Sequence, residues 1–275
     1  MGCRAGESAA AGGKKNDGRM QPETLKQLGF YFGTSGAHAS RALMLDELRV
    51  LLEHAPAAAV SDWYAHAIVQ DNLLAKATLN NRVKVGRYLR QLYGLDERIC
   101  LFRNFRRLWR ADAPSRPVLA VLLAMARDAL FRKSAELIVA TPVGAAVTAA
   151  AVRPLLDGLV GGRMSKETLR LAADNVLTSW ERAGYLTDGK PRLRVRPAVG
   201  PAACAFALFL GWLEGARGAM LFGTRWAQML GLPSDELIVL AGAAARNGFM
   251  ELLHAGGVIE VRFPGYLNEQ EAKLQ

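Results

Sequence analysis

The stretch WERAGYLTDGKPRLRVRP, residues 180–197, carries the signals that decide the fold of its part of the chain. An amphipathic run ends at Gly184, and glycine is the usual residue just beyond the end of a helix. The turn signal TDGKP follows, and after it arginine alternates with apolar residues, as in a short strand. A helix, a turn and a strand in this order predict the last elements of a winged helix.

The residues upstream of this stretch supply the other helices of such a unit. Thr141 and Pro142 predict the start of one helix, which would end in the glycine-rich turn GLVGGR. Ser165 is a suitable N-cap for the long helix that runs to Gly184. We therefore predict a winged-helix domain over residues 141–197.

The C-terminal part of the chain has a similar order of signals. WLEGARGAMLF at 212–222 predicts a helix, and a capped helix begins near residue 234 and is expected to run to the paired glycines at 256–257. VIEVRF at 258–263 alternates as a strand. Residues 198–275 therefore predict a second winged-helix-like module.

The N-terminal part of the chain is predicted to be helical. Residues 21–140 show helical periodicity, and 117–140 are apolar nearly all round, which predicts one central buried helix. Residues 1–20 are rich in Gly, Ala and charge without periodicity, and we expect them to be a disordered leader. The predicted fold class is mainly helical, all-α with short β wings.

The charge of the 275-residue chain is +10, and the excess is regional. Residues 82–133 contain 13 Lys and Arg against 4 Asp and Glu, and residues 163–196 contain 8 against 4. A regional excess is expected of a surface that faces a polyanion. The alternative is solubility charge spread over the helix exteriors.

Two helices carry most of this charge, NNRVKVGRYLRQLYGL at 80–95 and CLFRNFRRLWR at 100–110. In each, apolar residues share one face and basic residues share the opposite face. Arginine suits phosphate because its planar guanidinium donates two parallel hydrogen bonds. We predict phosphate contacts from Lys84, Arg87, Arg90, Arg103, Arg106, Arg107 and Arg110.

The winged helix adds a second set of candidate DNA contacts. Its long helix carries Lys166 and Arg170 near the N-terminus, where free N–H groups also favour phosphate. Leu193 and Val195 are expected to pack inward, with the alternating arginines together on the outer side of the wing strand. Acidic residues share the outer face of the helix, so we expect weak base readout. The predicted wing contacts are Lys190, Arg192, Arg194 and Arg196.

No pattern in the sequence predicts catalysis. The four histidines lack HExxH or other metal-ligand spacing, and FGTSGAHASR is not a phosphate-binding loop. We therefore predict no catalytic residues, no metal and no cofactor. Three cysteines, no signal peptide and a longest apolar stretch of only residues 202–213 predict a soluble cytoplasmic protein without membrane contact.

Part of the chain resembles a known family. GTSGAHASRALMLDELRVLL at 33–52 precedes a W-x4-I-x3-NLL-x3-T pattern and a basic helix, and WERAGYLTDGK follows later. The pattern consists of Trp63, Ile68, Asn72, Leu73, Leu74 and Thr78. Over residues 30–197 the chain resembles the BrxA family of bacteriophage-exclusion (BREX) proteins.

The resemblance implies a helical, non-enzymatic, DNA-binding component of a multi-protein phage-defence system, and it transfers no catalytic residues. The chain departs from the family pattern at Asp71, where glutamate is usual, and in residues 200–275, which add a module beyond the shorter members. We therefore expect duplex DNA and other phage-defence proteins as partners.

Two alternatives remain open at this point. The arginines could bind acidic surfaces of protein partners, which would make the chain a scaffold of the defence complex. Basic helices with Tyr88, Phe102 and Trp109 also suit RNA, although these aromatic residues fall on the predicted apolar faces.

Overall fold

The structure, a computed structural model, describes residues 20–274. The predicted disordered leader lies outside the described residues except for Met20. The described part is mainly helical with one two-stranded sheet, which confirms the predicted fold class. Within residues 20–274, no helix combines the length and the apolar character that crossing a bilayer requires.

Six helices build the N-terminal part, and its aromatic and aliphatic side chains meet in one core. Every residue of the sixth helix from Val118 to Ala126 is buried, as its apolar sequence predicts. The six are α1 (Pro22–Leu28), α2 (Leu45–His54), α3 (Ser61–Val69), α4 (Leu79–Tyr93), α5 (Cys100–Ala111) and α6 (Arg116–Arg127).

The predicted single helix over residues 117–140 is wrong, because the chain breaks at Asp128. This residue has an extended backbone, with φ −129° and ψ 112°. Its side chain accepts a hydrogen bond from the backbone N–H of Phe131 at 3.0 Å and so caps the next helix, α7 (Ala129–Ala140). The N-terminal part thus ends at Arg127, and α7 packs against the helices that follow it.

Residues 129–195 have the element order of a winged helix. After α7 come α8 (Ala149–Val160) and α9 (Lys166–Arg182), and isolated bridges pair Ala146 with Leu193 and Leu186 with Arg194. Thr141 ends α7 instead of starting the next helix, and Thr148 is the N-cap of α8. The predicted helix start at Thr141 is therefore wrong, because residues 141–148 form the extended segment that pairs with the wing.

The C-terminal part begins with α10 (Pro201–Leu213), which is buried on all sides and packs against α5 and α6. Residues 198–275 therefore share a core with the N-terminal helices. The predicted helix over 212–222 is wrong, since α10 ends at Leu213 and a 3₁₀ turn, Gly218–Gly223, follows. Next come α11 (Arg225–Gln228), α12 (Ser234–Arg246) and, last, α13 (Glu269–Ala272).

A hairpin follows α12 where the sequence predicted that the helix continues. The strands are β1 (Glu251–Ala255) and β2 (Val258–Arg262), antiparallel, with Ala255 opposite Val258. The paired glycines at 256–257 have positive φ angles of 59° and 79° and form the hairpin turn instead of a helix end. The predicted strand at 258–263 is confirmed as β2, with Val261 buried.

A buried polar network joins the N-terminal segment to the winged helix. His38 Nδ1 lies 2.9 Å from Asp128 Oδ2, and His38 Nε2 lies 2.9 Å from Ser179 Oγ. Ser179 donates its own proton to the carbonyl of Asn175 at 2.7 Å and accepts from the backbone N–H of Leu43 at 2.9 Å. The carboxylate can only accept, so His38 Nδ1 donates to Asp128, and Ser179 Oγ links the other ring nitrogen to the main chain of α9.

The environment of Asp128 acts on its pKa in two directions. Burial by itself raises the pKa of the Asp128 carboxyl. The charge of His38 and the hydrogen bonds from His38 and Phe131 outweigh burial and hold this pKa below the usual aspartate value of 3.8. The carboxylate therefore stabilises the fold as long as it stays ionised.

We expect Asp128→Asn to lower the free energy of unfolding at pH 6 by about 1.5–3 kcal/mol, because it replaces a buried carboxylate that accepts hydrogen bonds from His38 Nδ1 and from the backbone N–H groups of His38 and Phe131. The folded-state pKa of Asp128 is depressed, so its stabilising effect is present above the unfolded-state pKa and is lost as pH falls through the folded-state value. The difference between the native protein and the variant should therefore shrink below pH 3.8. Urea unfolding of the native protein and the variant at pH 6, 4 and 3 measures this difference in the free energy of unfolding.

Asp46→Asn is the matched control for this comparison. The Asp46 side chain is 80% exposed and lies 4.0 Å from Arg49, so its loss should change the free energy of unfolding little at any pH. A stability difference between the native protein and Asp128→Asn that stays constant from pH 6 to pH 3 would contradict the stabilising role assigned to the ionised Asp128 carboxylate.

Candidate nucleic-acid interface

Three of the predicted basic residues lie together on the exposed face of α4. Lys84, Arg87 and Arg90 are exposed, while Val85 and Leu89 on the opposite face are buried in the core. Within residues 20–274 none of the three cations makes an ion pair. Their side chains are therefore available to an anion from solution.

Tyr88 brings a fourth cation to this face. The Arg87 guanidinium carbon lies 4.8 Å from the centre of the Tyr88 ring, and Arg87 Nη2 donates to Tyr88 Oη at 3.0 Å. The Arg41 guanidinium carbon lies 5.8 Å from the centre of the same ring. A hydrogen bond with Ser40 lowers the pKa of the Tyr88 hydroxyl, burial opposes this, and Arg87 lowers the pKa further. Two guanidinium groups thus share one aromatic ring.

Sequence reasoning missed Arg41. It lies in the segment that follows the 3₁₀ turn Ala37–Ala39, and the His38 contacts to Asp128 and Ser179 hold that turn against α9. No local pattern in the sequence indicates that this arginine meets α4. We name the surface formed by Arg41, Lys84, Arg87 and Arg90 the α4 basic face.

The prediction that Arg106 contacts phosphate is wrong. Its side chain is 1% exposed. Its Nη2 donates to the carbonyls of Ala55 and Pro56 at 2.6 Å, and its Nη1 donates to Ala57 O at 3.2 Å and Glu97 Oε1 at 2.6 Å. Arg106 therefore serves the end of α2, where backbone carbonyls lack helical partners.

The other three arginines of α5 also contact the protein itself. Arg103 forms an ion pair with Glu271 at 2.5 Å. The guanidinium carbon of Arg107 lies 4.2 Å from the centre of the Tyr266 ring, and Arg110 Nη2 donates to Ala55 O at 3.1 Å. Arg107 and Arg110 remain exposed. The predicted basic face of α5 thus attaches this helix to the chain terminus and to the end of α2.

The wing strand differs from its prediction as well. Arg194 is 6% exposed, and its Nε donates to Ile138 O at 3.1 Å, at the end of α7. Burial lowers the pKa of Arg194, and Tyr185 partly offsets this effect. Leu193 and Val195 are only half-buried. The expectation that the arginines share the solvent side is wrong, because the Arg194 guanidinium satisfies buried carbonyls.

The remaining candidates of the winged helix fall into two groups, those that make an ion pair with a carboxylate and those that do not. Arg192 Nε lies 2.5 Å from Glu181 Oε2. Arg170 makes ion pairs with Glu167 at 2.7 Å and with Asp174 at 3.1 Å. Exposed side chains without ion pairs in the described part of the chain are Lys166, Lys190 and Arg196.

His38, Asp128 and Ser179 are connected in the order of a hydrolase triad, but their environment is different from that of a catalytic site. All three residues are 0% exposed, so a substrate cannot reach Ser179 Oγ. Ser179 Oγ also donates to the carbonyl of Asn175 and accepts from the backbone N–H of Leu43, contacts that belong to the packing of α9. Among residues 20–274, no group of three or more His, Cys, Asp and Glu side chains is arranged to hold a metal ion.

No protein-family model and no curated protein matches this chain. The resemblance to BrxA rests on the motif residues, and these build the connection from α3 to α4. Asn72 has a positive φ of 51°, and its Oδ1 accepts from the backbone N–H of Lys76 at 2.8 Å. Thr78 caps α4, and Ile68 and Leu74 are buried below the turn. The motif thus sets where the helix with the α4 basic face begins.

Arg106→Met should lower the free energy of unfolding by about 3–5 kcal/mol, because it leaves the half-buried Glu97 carboxylate and Ala57 O without their donor and removes one donor each from Ala55 O and Pro56 O. Arg107→Met, on the next residue of the same helix, removes one exposed contact to Tyr266 and should cost about 0.5–1 kcal/mol. Urea unfolding of both variants measures this contrast. Equal losses would contradict the assigned roles of the two arginines.

Proposed function

We propose that the protein is a non-enzymatic DNA-binding component of a bacterial phage-defence complex, and that it contacts duplex DNA mainly through phosphates. One observation carries the DNA part of this proposal. The four cations of the α4 basic face point to solvent without an ion-pair partner in residues 20–274, whereas the arginines of the winged helix and of α5 mostly contact the protein itself.

The length of the α4 basic face fits the backbone of a duplex. Lys84 and Arg90 are six residues apart, or roughly 9 Å along the helix, which corresponds to two or three phosphate steps along the duplex axis. The guanidinium groups of Arg41 and Arg87 both lie beside the Tyr88 ring, and each can donate two parallel hydrogen bonds to a phosphate.

The proposed binding is largely independent of base sequence. The exposed side of α9 carries Glu167, Asp174 and Glu181 together with Lys166, Arg170 and Arg182, and Arg192 of the wing pairs with Glu181, so acidic and basic side chains are nearly balanced there. Across this helix, the 3₁₀ turn Ala37–Ala39 covers the side that carries Ser179. One side of α9 is therefore balanced in charge and the other is covered, so we do not expect α9 to read base edges in the major groove.

Membership of a phage-defence complex rests on the resemblance to BrxA, and its setting would be the bacterial cytoplasm. Exposed apolar side chains on the C-terminal part support a protein-binding role beside DNA binding: Met220 is 72%, Val239 70% and Val258 69% exposed. RNA binding by stacking is less well supported, because Phe102 and Trp109 are buried.

The test of DNA binding is the affinity for a 25-base-pair duplex at several salt concentrations, measured by fluorescence anisotropy. We expect the triple variant Lys84→Gln, Arg87→Gln, Arg90→Gln to bind more weakly. It should also reduce the slope of log affinity against log salt by about 2–3, since each lost phosphate contact removes about 0.9. Arg170→Gln is the matched control, because Arg170 is exposed but already paired with Glu167 and Asp174.

The result that overturns the proposal is the absence of duplex binding by the folded native protein at low salt. Binding that the triple variant retains with an unchanged salt slope would move the interface away from α4. If an RNA duplex or single strand competes better than DNA at equal salt, the RNA alternative replaces the DNA proposal.

A further inference from the structure

A polar cleft of about 360 Å³ lies beside the α4 basic face, between the start of α4, the segment 40–44 and the end of α9. Its volume is in the range of small-molecule sites, roughly 300–1,000 Å³, and is much larger than one phosphate group requires. Asn81 and Val85 of α4 line this cleft, so it opens beside the surface proposed to bind DNA.

The charge of the cleft favours an anion. Three cations line it, Arg41, Lys76 and Arg182, against the single carboxylate of Glu47. Lys76 Nζ lies 3.0 Å from Glu47 Oε1, so these two side chains compensate each other. Arg41 and Arg182 are exposed and make no ion pair within residues 20–274. They are the two charges of the cleft that are left for a ligand.

The rest of the lining suits a base and a sugar. Met44 and Val85 reach the floor of the cleft, although each is at most 5% exposed. The side-chain amide of Asn81 makes no hydrogen bond to other residues in the described range. The Asn175 amide donates through Nδ2 to His38 O at 3.1 Å, which leaves its Oδ1 as an acceptor. Groups of this kind pair with the edges of an unstacked base.

We propose that this cleft binds the unpaired terminal nucleotide of a DNA strand, with its phosphate between Arg41 and Arg182 and its base against Asn81 and Asn175. The proposal rests on the proposed binding of the duplex along α4. A duplex held there has its backbone beside the cleft, and only a nucleotide that has left the base stack can enter it. The protein would then prefer duplexes with single-stranded ends to blunt duplexes.

The test compares a blunt 25-base-pair duplex with the same duplex carrying a three-nucleotide, phosphorylated overhang, in anisotropy titrations at one salt concentration. We expect the native protein to bind the overhang duplex about 10-fold more tightly, because the overhang adds charge-assisted hydrogen bonds from two arginines to one phosphate. Arg182→Gln should abolish this preference and leave the affinity for the blunt duplex unchanged. Arg153→Gln, an exposed arginine on α8 outside this cleft, should keep the preference.

Each result separates this inference from the proposed function. Binding of both duplexes with equal affinity, or a preference that Arg182→Gln retains, overturns the nucleotide site and leaves duplex binding intact. Binding of the overhang duplex alone, lost in Arg182→Gln, supports the nucleotide site and overturns duplex binding along α4. Binding of neither DNA overturns both. A free deoxynucleoside monophosphate that binds as tightly as the overhang duplex would make the free nucleotide the ligand and overturn the assignment to DNA ends.

Discussion

The packing of many short helices into one core depends on what satisfies the carbonyl groups at their C-terminal ends. Each helix leaves its last four carbonyls without an intrahelical donor, and these ends carry partial negative charge. In this protein arginines from other elements supply the donors. Arg106 contacts the carbonyls that follow α2, Arg127 contacts the end of α4, Arg132 contacts Met125 O of α6 at 2.8 Å, and Arg194 contacts the end of α7. Burial lowers the pKa of Arg127 to about 10, a value at which the group is still charged near neutral pH. Much of the basic excess of the chain therefore has a structural role.

Asp128 connects this helical core to the winged helix. Asp128 lies at the break between α6 and α7, and its carboxylate caps α7 by accepting from the backbone N–H of Phe131. The same carboxylate accepts from the ring and from the backbone N–H of His38. One side chain thus connects the junction of two helices to the segment that follows residue 36. Gly36 is required beside it, because an added Cβ would lie 2.0 Å from Asp128 Oδ1. The position of Arg41 on the α4 basic face follows from this network, although the two sites share no residue.

Periodicity in the sequence was sufficient to predict the fold class, the helices α4 and α9 and the strand β2, since each has a clear apolar stripe or alternation. It failed where apolar residues surround a segment. Periodicity over residues 117–140 does not register that Asp128 is a suitable N-cap, and the Asn247–Gly248 pair, which ends α12 with a positive φ of 71° at Gly248, was passed over as a helix end. The residues of the candidate nucleic-acid interface could also be predicted only in part from the sequence. Helical spacing places Arg106 and Arg107 on the basic side of α5, but it does not tell which arginine meets a neighbouring helix end, because the partner carbonyls lie about 50 residues away.

This distinction changes how the net charge of the chain relates to nucleic-acid binding. A count of basic residues assigns equal weight to the arginines of α4, α5 and the wing, whereas association with a phosphate requires a cation that is exposed and has no carboxylate or carbonyl to give up. Arg106 and Arg194 would have to leave buried acceptors unsatisfied before they could reach DNA, and Arg103 and Arg192 would have to release a carboxylate. The cations of α4 can bind a phosphate without leaving a buried acceptor unsatisfied and without releasing a carboxylate. The proposed DNA contacts therefore fall on exposed cations without such partners, first of all those of the α4 basic face, and the buried arginines hold the surrounding helices in place.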